Sequence, residues 1–217
     1  MNKPLDSFQY ENGFYATAQA RRMGRLLSHY ELYKKTIDLD GEIIECGVFK
    51  GASFHRFVMF SQLFDPEAKK KVIGFDTYGD FPGTNHPGDK AELDLFIKET
   101  GGGQSISIEK LKEELNEKNF KNFDLVKGDI CKTVPQFVKD NPNLKISLLN
   151  IDTDIYEPAK TIVDYLAPLV VKGGIIIFDD YGVFPGETEI ADEYCKNFKQ
   201  KIRNFPYCNV PSYIVKE

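Results

Sequence analysis

The sequence lacks any long apolar segment. No window of its 217 residues approaches the ~20 consecutive apolar residues that a helix needs to cross a bilayer. The first residues, MNKPLDSFQYENGFYATAQ, also lack an apolar stretch of signal-peptide length and carry acidic residues early. We therefore expect a soluble, cytoplasmic protein with no membrane partner.

Paired cysteines and an excess of positive charge are missing as well. The four cysteines form neither a Cys-x-x-Cys pair nor a compact framework, which predicts reduced thiols and argues against bound zinc. The formal net charge is -5 at pH 7. Because binding to phosphate backbones needs a basic surface, we expect no nucleic-acid partner.

Internal repeats and low-complexity tracts are also absent. The length and the hydrophobic content of 41% suffice for one domain with its own core, over residues 1–217. Within residues 1–40, the segment Ala16–Ile37 has helical spacing. We expect this N-terminal part to form a helical lid or cap over the carboxyl edge of the sheet.

From Gly41 onward, short β-branched runs alternate with longer amphipathic segments. This alternation predicts an α/β fold, a doubly wound and mainly parallel sheet with helices on both faces. The predicted strands are Glu42–Val48, Lys71–Asp76, Phe123–Asp129, Lys145–Asp152 and Gly174–Asp180. The predicted helices are Ala52–Leu63, Ile108–Lys118, Thr133–Asp140, Glu157–Leu169 and Glu189–Arg203. Two apolar runs joined by CNVP, residues 208–211, predict a terminal hairpin or edge strand.

Acidic residues end every predicted strand. Ligands of open α/β sheets bind beyond these carboxyl ends. After the first strand, Gly47 and Gly51 allow a tight turn and a close backbone approach to a ligand, although a plain strand-to-helix turn explains them equally. Asp76 can accept both hydroxyls of a ribose. Asp129 can reach an adenine edge, but a Gly-Asp turn is the simpler explanation of that residue.

The fourth and fifth strands carry the strongest chemical pattern. In the strand order 3-2-1-4-5 they are neighbours, ~4.8 Å apart, and their ends bring Asp152 together with Asp179 and Asp180. Carboxylates crowded in this way repel one another unless a cation lies among them. Oxygen ligands suit Mg²⁺, Ca²⁺ or Mn²⁺ rather than zinc. Helix capping would explain one aspartate at each end but not the cluster, so we predict a divalent metal site.

Five motifs together resemble the macrocin O-methyltransferase family: GEIIECGVFKGAS, GFDTYGDFPGTN, VKGDI, NIDTDIYEPAK and GGIIIFDDYGVFPGE. The match runs in order from about Tyr10 to the C-terminus. The resemblance implies a seven-stranded methyltransferase sheet, S-adenosylmethionine as cofactor and a divalent metal, usually Mg²⁺. Since such enzymes are often dimeric or larger, it also allows a homodimer or a higher homo-oligomer.

The resemblance also implies roles for individual residues. The implied cofactor-binding residues are Glu45, Gly47, Gly51, Ser53 near the methionine carboxylate, Asp76 at the ribose, and Asp129 with Ile130 around the adenine. The implied metal ligands are Asp152, Asp179 and Asp180.

The base that removes the acceptor proton is less directly implied. In the related catechol O-methyltransferases, a lysine three residues after the first metal aspartate serves as base, and here that position is Ile155. Asp152, with Asp154 as second choice, is therefore the candidate catalytic base. The chain is also shorter than the antibiotic-sugar members in the N-terminal region that forms part of their lid, which leaves the acceptor open.

Together these patterns predict an S-adenosylmethionine-dependent, Mg²⁺-assisted O-methyltransferase. Its small-molecule acceptor is expected to be a hydroxyl of a polyol, a sugar or a nucleotide-linked sugar. An NAD(P)-dependent oxidoreductase is the first alternative, but the sequence lacks G-x-G-x-x-G and a Tyr-x-x-x-Lys pair. A non-catalytic S-adenosylmethionine-binding module is the second, and it would not need the acidic cluster.

Overall fold

Seven strands and eight α-helices make up the part of the chain that the computed structural model describes, residues 7–65, 67 and 69–217. The strands are β1 (Glu42–Cys46), β2 (Val72–Asp76), β3 (Phe123–Lys127), β4 (Ile146–Ile151), β5 (Val170–Phe178), β6 (Arg203–Phe205) and β7 (Cys208–Val215). The helices are α1 (Ser7–Thr17), α2 (Ala20–Lys34), α3 (Ala52–Phe64), α4 (Lys90–Glu99), α5 (Ile108–Glu117), α6 (Ile130–Asp140), α7 (Tyr156–Tyr165) and α8 (Pro185–Phe198).

The strands form one sheet in the order β3-β2-β1-β4-β5-β7-β6. The first five are parallel, whereas β7 runs antiparallel to both β5 and β6. The predicted fold class and the 3-2-1-4-5 order are therefore confirmed. β4 and β5 are neighbours, so their carboxyl ends open at the same edge.

Both faces of the sheet are covered. Every residue of β2 and of β4 is buried, as expected for parallel strands between two helical layers. On one face Ile44, Ile151 and Phe178 pack with α6, α7 and α8. On the other, Ile43 and Leu148 pack with α2, α3 and α5. The alternation of side chains along each strand divides the core into these two layers.

Several predicted boundaries are wrong at the helix ends. Helix α8 begins at Pro185 rather than Glu189, since proline is well tolerated in the first turn of a helix. It ends before Lys199, which has a left-handed backbone conformation (φ 53°), and the predicted end at Arg203 lies in β6. The predicted hairpin exists, but its turn precedes the CNVP segment, all of which lies within β7. Helix α4 was not predicted.

The N-terminal segment contains the expected helix. Helix α2 lies within the segment with helical spacing and packs against α3 and β7. Helix α1 has no buried residue. Residues 1–6 lie outside the described part of the chain, and the lid function of residues 1–40 stays a prediction. None of the helices described here is both long and apolar enough for a membrane span.

Gly47 joins the end of β1 to the loop that leads into α3. Its φ of 89° lies in the left-handed region, and a Cβ built there would lie 1.7 Å from the carbonyl oxygen of Asp152. Only glycine allows the loop after β1 to approach the segment after β4 this closely.

We predict that Gly47→Ala destabilises the fold by about 3 kcal/mol or more, because backbone strain of ~1–2 kcal/mol adds to an overpacking cost of ~1–3 kcal/mol. Gly101→Ala is the matched control, since Gly101 also has a positive φ (69°) but nothing lies within 4 Å of a built Cβ. It should cost about 1 kcal/mol from strain alone. Urea unfolding measures both, and equal costs would contradict the close approach at Gly47.

Candidate active site

A cavity of about 760 Å³ lies at the carboxyl ends of the parallel strands. Its size is in the range typical of small-molecule sites, ~300–1,000 Å³. The predicted site residues that line it are Gly47, Ser53, Asp76, Asp129, Ile130, Asp152, Asp154 and Asp180. The topology thus brings residues from the ends of all five parallel strands into one cavity.

The Asp76 carboxylate holds in place the loop between β1 and α3. It accepts hydrogen bonds from the backbone N–H groups of Val48 (2.8 Å), Phe49 (2.9 Å) and Tyr78 (2.6 Å). Phe49 and Tyr78 have φ values of 47° and 48°, so this carboxylate stabilises two strained turns. Sequence reasoning gave Asp76 only a ribose contact, which stays a prediction.

Two of the predicted cofactor residues lie outside the residues that line the cavity. Gly51 lies just before α3 with a φ of 82° and positions Ser53, which does line the cavity. The Glu45 side chain is fully buried and accepts a hydrogen bond from Asn150 Nδ2 at 3.0 Å. Burial, together with the nearby Asp152 charge, raises the pKa of Glu45 to about 8. Glu45 is therefore a buried residue next to the cavity, where it contacts Asn150 of β4.

Asp129 caps a helix, whereas the sequence suggested a Gly-Asp turn or an adenine contact. Its side chain accepts a hydrogen bond from the Cys131 N–H at 2.9 Å and caps α6, which therefore begins earlier than predicted. It also lines the cavity beside Ile130. The adenine contacts implied for both residues stay a prediction.

Helix α4 and the loop before it add an apolar wall that sequence reasoning missed. The Phe96 ring lies 5.3 Å from the Phe49 ring and 5.2 Å from the Phe81 ring, centre to centre. All three residues line the cavity. The wall offers aromatic surface for a flat ring.

Three carboxylates meet at the ends of β4 and β5. One oxygen from each of Asp152, Asp154 and Asp180 lies within 4.8 Å of the others, and no other group of this kind occurs in the described residues. Asp154 reaches this position because its backbone is left-handed (φ 62°), a conformation that aspartate tolerates better than most residues. Asp154 is thus part of the cluster and more than a turn residue.

The structure does not place Asp179 in this group, although the sequence predicted it as a metal ligand. Its side chain is fully buried and forms an ion pair with Arg25. Its other oxygen lies 3.4 Å from His29 Nε2. Strand alternation explains the difference, because consecutive residues at a strand end point to opposite sides.

Like charges raise the pKa values in the cluster. Burial and the Asp180 charge raise the pKa of Asp152 to about 7, while Arg25 opposes the shift. The same two causes hold the pKa of Asp154 well above its usual value. A fourth carboxyl group, that of Glu187, is fully buried and accepts a hydrogen bond from the Asp180 N–H at 2.9 Å. Burial and Asp180 raise its pKa as well.

Sequence reasoning did not single out Glu187, although it ends the motif GGIIIFDDYGVFPGE. The carboxylates of Asp152, Asp154 and Asp180 fit a hard divalent cation, which would relieve their repulsion and accept oxygen ligands. Asp152 and Asp180 would hold such a cation from two neighbouring strands.

Methyltransferases are among the solved structures that share this fold. CalS11, a calicheamicin methyltransferase, aligns with a TM-score of 0.80 and 26% identity over 99% of this chain and 87% of that chain. A second CalS11 structure, described as TDP-rhamnose 3'-O-methyltransferase, gives a TM-score of 0.70. The O-methyltransferase NovP aligns at 0.71 with 19% identity over 89% of this chain and 79% of that chain, which supports the fold alone.

The profile of the Macrocin-O-methyltransferase (TylF) family matches residues 14–206. The chain therefore belongs to this family, as the sequence motifs predicted. Demethyldecarbamoylnovobiocin O-methyltransferase of Streptomyces niveus is 24% identical over 74% of this chain. A tetracenomycin-type 4'-O-methyltransferase of Streptomyces olivaceus is 24% identical over 66% of this chain. The alignments span 60% and 54% of these two relatives.

We predict that Mg²⁺ raises the melting temperature more at about pH 8 than at about pH 6. A carboxyl group with a raised folded-state pKa binds its proton more tightly when folded, so the metal-free protein loses stability as pH rises to about 7. Mg²⁺ offsets this loss, and at lower pH it must displace protons.

The control is Asp154→Asn, which removes one charge from the cluster. It should make the metal-free protein less sensitive to pH between these two values. Thermal unfolding with and without Mg²⁺ measures both effects. An equal Mg²⁺ shift at both pH values would contradict the raised carboxyl pKa values.

Proposed function

We propose that the protein is an S-adenosylmethionine-dependent, Mg²⁺-assisted O-methyltransferase acting on a sugar hydroxyl. The observation that carries the proposal is that the carboxylates of Asp152, Asp154 and Asp180 line the same cavity as the loop after β1. Family membership supports methyl transfer over the oxidoreductase alternative. The carboxylate cluster argues against a purely non-catalytic binding module.

S-adenosylmethionine would supply the methyl group. Its nucleoside would lie against the apolar wall, between Asp76 and the residues that begin α6. The Gly47 loop, held by Asp76, allows the backbone to approach the ligand closely. Ser53, in the first turn of α3, suits the methionine carboxylate because helix N-termini favour anions.

Asp152 and Asp180 are the proposed Mg²⁺ ligands. Mg²⁺ in proteins is commonly held by one or two carboxylates, with water and substrate completing its coordination. When bound, it supplies a Lewis acid that lowers the pKa of an acceptor hydroxyl. The sequence predicted Asp179 as a third ligand. Because Asp179 forms an ion pair with Arg25, its proposed role is instead to orient Arg25.

Asp154 is the proposed base that takes the acceptor proton. One of its oxygens lies within 4.8 Å of an oxygen of each proposed Mg²⁺ ligand, so it can reach a hydroxyl held beside them. Asp152, the first choice from sequence, lies 3.9 Å from Arg25, whose positive charge disfavours protonation of that carboxylate. With Asp154 placed to take the proton, the site would orient the acceptor oxygen toward the methyl group that S-adenosylmethionine would supply.

A sugar acceptor is supported by the similar proteins rather than by a single contact. CalS11 is described as acting on TDP-rhamnose, and the Streptomyces olivaceus enzyme is named for a rhamnosyl substrate. Two neighbouring sugar hydroxyls can place both oxygens at one cation. The acceptor of this chain is therefore proposed to be a deoxysugar or a related polyol, free or nucleotide-linked.

We predict that Asp154→Asn lowers kcat by about 10²–10⁴-fold while S-adenosylhomocysteine and Mg²⁺ still bind. Asp180→Asn should instead weaken Mg²⁺ binding, because it removes a ligand. Calorimetric titration with Mg²⁺ and with S-adenosylhomocysteine measures the affinities. Transfer of labelled methyl to a panel of deoxysugars and nucleotide sugars measures turnover.

Asp179→Asn is the matched control, because it changes the neighbouring aspartate by the same one atom. It should leave the Mg²⁺ affinity within about twofold if Asp179 only orients Arg25. A loss as large as that of Asp180→Asn would restore Asp179 as a ligand. Full methyl transfer in the presence of EDTA would contradict the role of the metal.

A further inference from the structure

Three arginines line the cavity beside the carboxylates. Arg22 and Arg25 come from α2, where their spacing puts them on one face of the helix, and Arg56 comes from α3. These three residues are called the arginine cluster below. Sequence reasoning assigned no role to any of them.

Only one member of the arginine cluster is neutralised by an ion pair. Arg25 contacts Asp179 and lies 3.9 Å from Asp152. Among the described residues, no carboxylate lies within ion-pair distance of Arg22 or Arg56. Arg22 and Arg56 therefore face the cavity without an ion-pair partner in the described part of the chain, although the charges of Glu45 and Asp152 act on Arg56 from further away.

The positive charge of Arg56 is destabilised by its surroundings. Partial burial, followed by the charges of Arg25 and Arg22, lowers the pKa of the Arg56 guanidinium. A group held near two like charges and partly removed from water is stabilised when an anion binds beside it.

We propose that the arginine cluster binds the phosphate groups of a phosphorylated acceptor, such as a nucleoside-diphosphate sugar. This inference rests on the proposed function, since it assigns the acceptor class of the same site. It adds recognition of the phosphate to the recognition of the sugar hydroxyl.

The chemistry of the arginine cluster favours phosphate. Guanidinium groups match phosphate oxygens with paired hydrogen bonds and stay charged at any physiological pH. Two unpaired guanidinium groups suit the two or more negative charges of a diphosphate. Arg25 also contacts Asp152, so the cluster adjoins the carboxylates that would meet the sugar hydroxyls.

The methionine carboxylate of the cofactor is the other oxyanion that could reach these arginines. It carries one negative charge, so it would neutralise at most one of the two. The experiment must therefore separate loss of acceptor binding from loss of cofactor binding.

Calorimetric titration with uridine 5'-diphosphate and with inorganic pyrophosphate makes this separation. The protein is saturated with S-adenosylhomocysteine and kept free of divalent cations, which would themselves bind the probes. Wild-type protein should bind both probes and not uridine, with affinity that falls as salt is added. Arg22→Gln and Arg56→Gln should each weaken the binding of both probes about tenfold.

Arg21→Gln is the matched control, because Arg21 is exposed like Arg22 but does not line the cavity. It should leave probe binding unchanged. The affinity for S-adenosylhomocysteine should stay within about twofold in all three variants, which also shows that each one is folded.

Absence of binding by both probes would overturn the proposal, and so would equal binding in wild-type and variant proteins. If Arg22→Gln and Arg56→Gln weaken S-adenosylhomocysteine binding as much as probe binding, the arginine cluster serves the cofactor and the proposal is wrong. None of these results depends on turnover. A separate turnover assay distinguishes the two proposals, because metal-dependent methylation of a neutral sugar without any probe binding would keep the proposed function and overturn the phosphate site.

Discussion

The parallel pairing of β4 with β5 is the constraint on which the site depends. Ile151 pairs with Phe178, so the two chains leave the sheet at the same level and deliver Asp152 and Asp179 side by side. The Asp179 N–H donates to the Ile151 carbonyl at 2.9 Å and extends this register beyond the strands. The backbone pairing of β4 with β5 therefore brings the aspartates that follow these strands to one edge of the sheet.

The rest of the site responds to this concentration of charge. Arg25 neutralises the buried Asp179, and Glu187 is held by the Asp180 backbone. Close contact at Gly47 ties the loop after β1 to the chain leaving β4. The proposed cofactor loop and the proposed metal ligand Asp152 are thus in close contact, which would help to orient the reacting groups.

Much of this arrangement could be predicted from the sequence, because short β-branched runs ending in acids define parallel strands and their ligand-binding edge. The period-two pattern does not extend past the end of a strand, so it could not show that Asp154 turns back into the cluster through a left-handed backbone. Arg25 reaches the site from a helix far away in sequence, and no local pattern reports such a contact. Helix α4 was missed because loop-like segments rich in glycine flank it on both sides.

Direct location of the ions and of the cofactor tests the central claim, that one cavity holds S-adenosylmethionine and a divalent cation together. Crystals grown with S-adenosylhomocysteine and Mn²⁺ allow the Mn²⁺ position to be determined by anomalous scattering. The account predicts one Mn²⁺ bound by Asp152 and Asp180, next to S-adenosylhomocysteine held by the Gly47 loop. An anomalous peak elsewhere, or S-adenosylhomocysteine bound outside this cavity, would contradict it.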